Sequence, residues 1–303
     1  MSTGGYTSIA IVNRSTLLSD GDGTTLVSAL NKFLPPFCTD WKIPTVTASY
    51  VSTTTATSPS VPVRVFILDT PDVAGALGYH DISSDVPYGK VFVKIILQSK
   101  GSVLSGALTV SSVVCHEVME LLVDPLANVW WMGPDYSTLY AAEVGDPVQA
   151  NTINVTVGST SVAMSDYILP AWADPQRSTG PFNKKNTLTG PFKLAKGGYA
   201  IVLKNSKAQY VLGESTPIQG DDDIRIQRRK GPSLVSLDNP SVPPVPTVPA
   251  FISPGATNTA VIPANSILVP KPPVHARVAP PTALALTVEK LTSVQRLQLA
   301  RRN

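Results

Sequence analysis

Alternating apolar and polar positions divide the body of the chain into short runs with two different periods. Ser8–Val12 is rich in β-branched residues and predicts a first strand. Asp20 to Thr24 supplies capping and turn chemistry. Leu26, Leu30 and Phe33 then recur at helical spacing until Pro35 and Pro36, where the helix is predicted to stop. Thr45–Ser52 predicts a second strand, the Ser/Thr tract Ser52–Ser60 a loop, and Val63–Leu68 a third strand with Val63, Val65 and Ile67 on one face. Tyr79-His80-Asp81 reads as a connection that leads through Pro87–Gly89 into a fourth strand, Val91–Leu97. Lys90 and Lys94 flank Phe92 on its alternate face, a pattern suited to an edge or solvent-facing strand.

After Gly101–Gly106 the period returns to helical over Val110–Asp124, ended by Asp124-Pro125. A further helical stretch is predicted over Ser137–Val144. Beyond Ala150 the pattern is β: Ile153–Val157, Ser161–Met164, and a hairpin of Tyr199–Leu203 with Gln209–Leu212 whose turn is Asn205-Ser206. No internal repeat is found. The expected class is α+β: a mixed sheet with helices, then a β-rich region, then an extended tail.

Composition changes this picture mainly at the C-terminus. Of the 28 prolines, 12 fall between Pro240 and Pro281, so 232–303 reads as an extended, proline-rich tail. It finishes in a possible amphipathic helix over Thr287–Arg302. From Arg225 onward ten Lys or Arg face two acids, whereas the first 224 residues carry 14 against 19. A mildly acidic body therefore bears a basic tail, either a solvated linker or an arm that docks on other protein subunits. No aromatics interleave with its basic residues, which argues against specific nucleic-acid readout. Two cysteines, Cys38 and Cys115, are too few for a disulfide framework. The N-terminus lacks a signal-peptide pattern and no apolar run is long enough for a membrane span, so the expected location is the cytoplasm, or a virion, without membrane contact.

Candidate chemistry concentrates on Val110–Asp124. Val110, Val114, Val118, Leu121 and Leu122 form a broad apolar face, while His116, Glu117 and Glu120 fall within an arc of about 100°. Side chains at i and i+4 stand side by side, so His116 and Glu120 can converge on one point with Glu117 alongside. An imidazole and a carboxylate there can ligate a divalent cation, and a neighbouring carboxylate can take a proton from water bound to it. An isolated H-E-x-x-E is more often the wet face of an amphipathic helix. The small and apolar residues flanking this one favour a buried site instead.

With the element order β-α-β-β-β-α and the motif on the second helix, Ser8–Val148 resembles the zincin metallopeptidase fold. The region 1–150 is then the zincin-like part and 151–231 the β-rich part that completes the globular body. The resemblance implies a substrate-binding edge strand just before the active-site helix, a place that Val91–Leu97 matches. It is nearest the gluzincin branch, where a glutamate on a later helix is the third ligand and an aspartate one turn further on supports a ligand. That implies His116, Glu120 and Glu143 as metal ligands, Glu117 as catalytic base and Asp146 as an outer partner of His116. Glu120 stands where the family has its second histidine, so the ligand set is harder than the usual zinc site; the metal implied is Zn, with Mn, Ca or Fe as alternatives. The motif is also similar to H-E-x-x-E sequences of uncharacterised phage and bacterial proteins. Two functions follow: a metal-dependent peptidase (or degenerate derivative) acting on peptide or protein, or a non-catalytic virion or assembly protein on the same scaffold.

Other candidates are weaker. His80 is a further ligand or a hydrogen-bonded loop histidine, and Trp130-Trp131 line a cleft or pack under a loop. Tyr136 and Tyr140 are possible oxyanion donors, His275 has no assigned role, and Asp221–Asp223 reads as a solvated turn.

Overall fold

The first half of the chain builds one mixed sheet from five strands: β1 (Ser8–Asn13), β2 (Thr47–Val51), β3 (Val63–Leu68), β4 (Gly78–Ser83) and β5 (Val86–Phe92). Their order is β2-β1-β3-β5-β4, parallel throughout except that the outermost strand, β4, runs antiparallel to β5. The structure is a computed structural model that describes residues 6–54, 63–73, 75–83, 86–213 and 215–219, the last five by backbone alone. The proline-rich tail 232–303, with its helix over Thr287–Arg302, His275 and Asp221–Asp223, lies outside the described residues.

Helices α1 (Asp20–Trp41) and α3 (Val110–Val123) share a core with one face of this sheet; the short helix α2 (Val93–Gln98) follows β5 directly. Ile9, Ile11, Val65, Ile67 and Val91 meet Leu26, Leu30 and Phe33 of α1 and Val114 and Val118 of α3 in that core. The alternate residues of the same strands, among them Ala10, Val12, Phe66, Tyr88 and Phe92, form a smaller cluster on the opposite face. Both faces are buried, so these strands do not alternate apolar with polar as a half-wet strand would.

The second half adds short strands: β6 (Trp130–Met132), β7 (Leu139–Ala141), the hairpin β8 (Thr152–Val157) and β9 (Thr160–Ser165), then β10 (Tyr199–Lys204), β11 (Lys207–Leu212) and β12 (Ser215–Gln219). Strands β12-β11-β10-β7-β6 form an antiparallel sheet, and β8 pairs with β9 alone. The turn between β10 and β11 has Asn205 and Ser206 both at positive φ (51° and 63°), the geometry a two-residue hairpin loop requires. Residues beyond 150 pack into the same core as α3, through Val162, Met164, Tyr167, Trp172 and Phe192. The class is α+β. Among the described residues no helix is long and apolar enough to cross a membrane.

Three local expectations are corrected. Helix α1 runs through Pro35 and Pro36 to Trp41. Both prolines lie on its exposed side, while Phe33, Leu34, Phe37 and Cys38 are buried on the other side. The stretch Val91–Leu97 is not one edge strand. It holds the end of β5, an interior strand, and most of α2. Pro87 does not interrupt β5, because the ladder with β3 begins one residue later at Tyr88. Lys90 does not face solvent either. It is fully buried, paired with Asp72 and set over the rings of Tyr79 and Tyr88 at 5.3 and 5.6 Å. Lys94, on α2, is exposed.

Candidate metal centre

Helix α3 starts at an N-cap that satisfies its first amides twice over. The Thr109 hydroxyl accepts from the Ser112 amide and the Ser112 hydroxyl accepts from the Thr109 amide. Ser111 donates to the Ala163 carbonyl at 2.7 Å, tying the first turn to β9. The helix then passes under β4 and β5 and is buried on nearly every side, so its polar stripe is not a wet face. Glu117 is 5% exposed and Glu120 2%. Unpaired carboxylates at that depth are costly, so they must meet a counter-charge.

Two histidines and two further carboxylates surround them. His116 Nε2 lies 3.1 Å from Glu120 Oε1 and 3.2 Å from Asp146 Oδ1. His80 reaches in from β4, fully buried, with Nδ1 3.7 Å from Glu117 Oε2 and 3.7 Å from Glu120 Oε2. Its Nε2 is 3.7 Å from Glu143 Oε2. Neither ring nitrogen of His80 has a hydrogen-bond partner among the described residues, and neither has Glu117 Oε2. Two groups therefore have ligand atoms close enough to hold a metal ion: His116 with Glu120 and Asp146, and His80 with Glu117 and Glu120.

The segment from Leu139 to Gly145 is not helical, contrary to the reading of Ser137–Val144 as a helix. It holds β7 and then an irregular stretch, with Asp146 opening a one-turn 3-10 helix. The Ala142 amide donates to the Val129 carbonyl and the Ile168 amide to the Val144 carbonyl, fixing the stretch from both sides. Glu143 thus approaches His80 rather than His116. Asp146 meets His116 at Nε2, the nitrogen that also faces Glu120, so it lies within the group that could hold an ion rather than on the far side of the ring.

Two glycines give the cluster its room. A Cβ at Gly145 would stand 2.4 Å from His116 Nδ1, and a Cβ at Gly78 would stand 2.7 Å from Glu117 Oε1. The Gly145 amide also donates to Glu120 Oε1 at 3.1 Å. Of the other candidates, Trp131 is a core residue stacked on Trp41 at 5.8 Å, Tyr140 packs on Trp172 and Phe192, and Tyr136 is exposed.

The charges perturb one another. Burial favours the neutral form of His80, but Glu143, Glu117 and Glu120 outweigh it and hold the imidazole at about 9. His116 is raised well above its ordinary value against the same opposition, by Glu120 and Asp146. Burial raises Glu120, opposed by His116 and reinforced by Asp146 and Glu143. Each of these groups binds its proton more tightly in the folded chain than in the unfolded one. The stability each contributes is present below its unfolded value and is lost as pH climbs through its folded value. Chelator-treated protein is therefore expected to lose stability between pH 6.5 and about 9, the span of the His80 shift. Its thermal midpoint should fall by about 5 °C across that window. A midpoint flat or rising over the same range contradicts this account.

Fold and cluster together define an α+β protein with buried His/Glu/Asp groups that can hold a metal ion. No family model, no curated protein and no solved structure matches the chain.

Proposed function

We propose that the chain is a metal-dependent hydrolase of zincin-like build, acting on peptides. The observation that carries this is the convergence of His116 and Glu120, one turn apart on α3, with Asp146 beside an antiparallel edge strand. In the zincin resemblance such a strand receives extended substrate. Here that place belongs to β4, whose outer side has no strand neighbour among the described residues. A peptide added there would pair with β4 backbone groups and pass close to the cluster.

His116, Glu120 and Asp146 hold the ion in this reading. An imidazole with two carboxylates suits Zn, Mn or Fe better than Ca, which takes six to eight oxygens. When bound, the ion supplies an acidified water and a positive charge for a developing oxyanion. Glu117, fixed against Gly78, accepts the proton. Glu143 and His80 face each other behind it.

Metal content and hydrolysis of an unstructured protein substrate test the reading together. Wild type should retain metal and cleave; Glu117→Gln should retain metal and lose at least about 100-fold in rate; His116→Ala should lose the metal. Equal metal content in wild type and His116→Ala rejects the ligand assignment.

A second reading keeps the ion and drops the catalysis. The carboxylates and His80 are 0–5% exposed, which suits a structural centre in a virion or assembly protein as well as a closed active site. Metal-loaded wild type that hydrolyses nothing, yet unfolds on chelation, supports that alternative.

A further inference from the structure

We propose that the cluster holds two divalent cations bridged by the Glu120 carboxylate, the second of them bound by His80 and Glu117. The proposal rests on the metal-site reading above and extends it. Glu120 presents its oxygens to different histidines: Oε1 stands 3.1 Å from His116 and Oε2 3.7 Å from His80. A carboxylate placed between two imidazoles in this way has the layout of a bridging ligand.

His80 supplies the independent observation. It is completely buried, and both ring nitrogens lack a hydrogen-bond partner among the described residues. Its Nδ1 lies 3.7 Å from one oxygen each of Glu117 and Glu120. That gap is too long for a hydrogen bond. It is also too short for a bridging water, which holds its two partners about 4.5 Å apart. Donors about 2.1 Å from one tetrahedral ion stand about 3.4 Å from each other. A contraction of about 0.3 Å per contact would close the group on an ion. Around His116 the separations of 3.1 and 3.2 Å already match the edge of an octahedron about such an ion, about 3.0 Å.

Charge balance agrees. Glu117, Glu120, Glu143 and Asp146 are all at most 5% exposed. With both imidazoles neutral, as ligation by a ring nitrogen requires, four carboxylates match two divalent ions and exceed one. Glu143, opposite Nε2 of His80, takes the outer position that orients a ligating imidazole.

The full chain, stripped with chelator and loaded with Mn²⁺, should retain two ions by native mass spectrometry and by elemental analysis. Its electron paramagnetic resonance spectrum should show an exchange-coupled pair. His80→Ala and the closer substitute His80→Gln should retain one ion with an isolated six-line spectrum, and wild-type circular dichroism serves as the check on folding. One ion in wild type overturns the second site and leaves the hydrolase reading standing. No ion overturns both. Two ions without coupling in wild type overturn the bridge, and that spectrum is read without any variant. Two ions in a folded His80 variant overturn the assignment to His80.

Discussion

Gly145→Ala is expected to lower divalent-cation affinity by at least about 100-fold, as loss of a ligand-orienting contact does. The added Cβ would lie 2.4 Å from His116 Nδ1 and 2.7 Å from Cε1, closer than real side chains come. The ring cannot withdraw without leaving Glu120 and Asp146. The backbone cannot withdraw either, because the Gly145 amide is bonded to Glu120 Oε1. Either movement opens the group around His116. Overpacking of this kind typically costs about 1–3 kcal/mol, so the fold should survive and the loss should read as binding. Gly21→Ala is the control, since its Cβ meets only Ser19 Oγ at 3.8 Å. Competition against a metal indicator measures both variants, and an unchanged affinity for Gly145→Ala would refute the packing argument.

Removing the ion is expected to have the second largest effect. An ion present at about 1,000 times its dissociation constant stabilises the folded state by about 4 kcal/mol. For a body of this size that corresponds to a fall of about 10 °C in the thermal midpoint on chelation. The direction follows from Glu117 and Glu120 on α3 and Glu143 and Asp146 beside it, which repel one another once the cation leaves. Adding Zn²⁺ or Mn²⁺ back should restore the midpoint. A chelator-insensitive midpoint would mean that protons, not metal, balance the cluster.

The sequence carried the central part of this site and missed its edge for identifiable reasons. His116, Glu117 and Glu120 were legible because helical period alone places them together. The strands Ser8–Asn13 and Val63–Leu68 were legible from their β-branched runs. His80 was not recognised as a strand residue, because in Gly78–Ser83 the usual alternation is hidden. Tyr79 packs on one face of the sheet and His80 points to the cluster on the other. The edge strand was misplaced because Pro87 and Gly89 read as turn residues although both sit in β5. Glu143 and Asp146 enter only through the resemblance, and the contacts they make depend on an irregular path that no periodicity encodes. The one signal that could have selected His80 is its position opposite Gly89, a residue that leaves space on the same face.

His80 rides on β4, an edge strand of the sheet, which among the described residues has a strand partner on one side only. The terminal strand of a sheet is the part that detaches most readily while the rest stays folded. Detachment of β4 removes one imidazole from the cluster and leaves α3 with its own histidine and glutamates in place. If the two-ion proposal holds, cation exchange at His80 would be timed by the breathing of a single strand, and the two groups that share Glu120 would trade their ions at different rates.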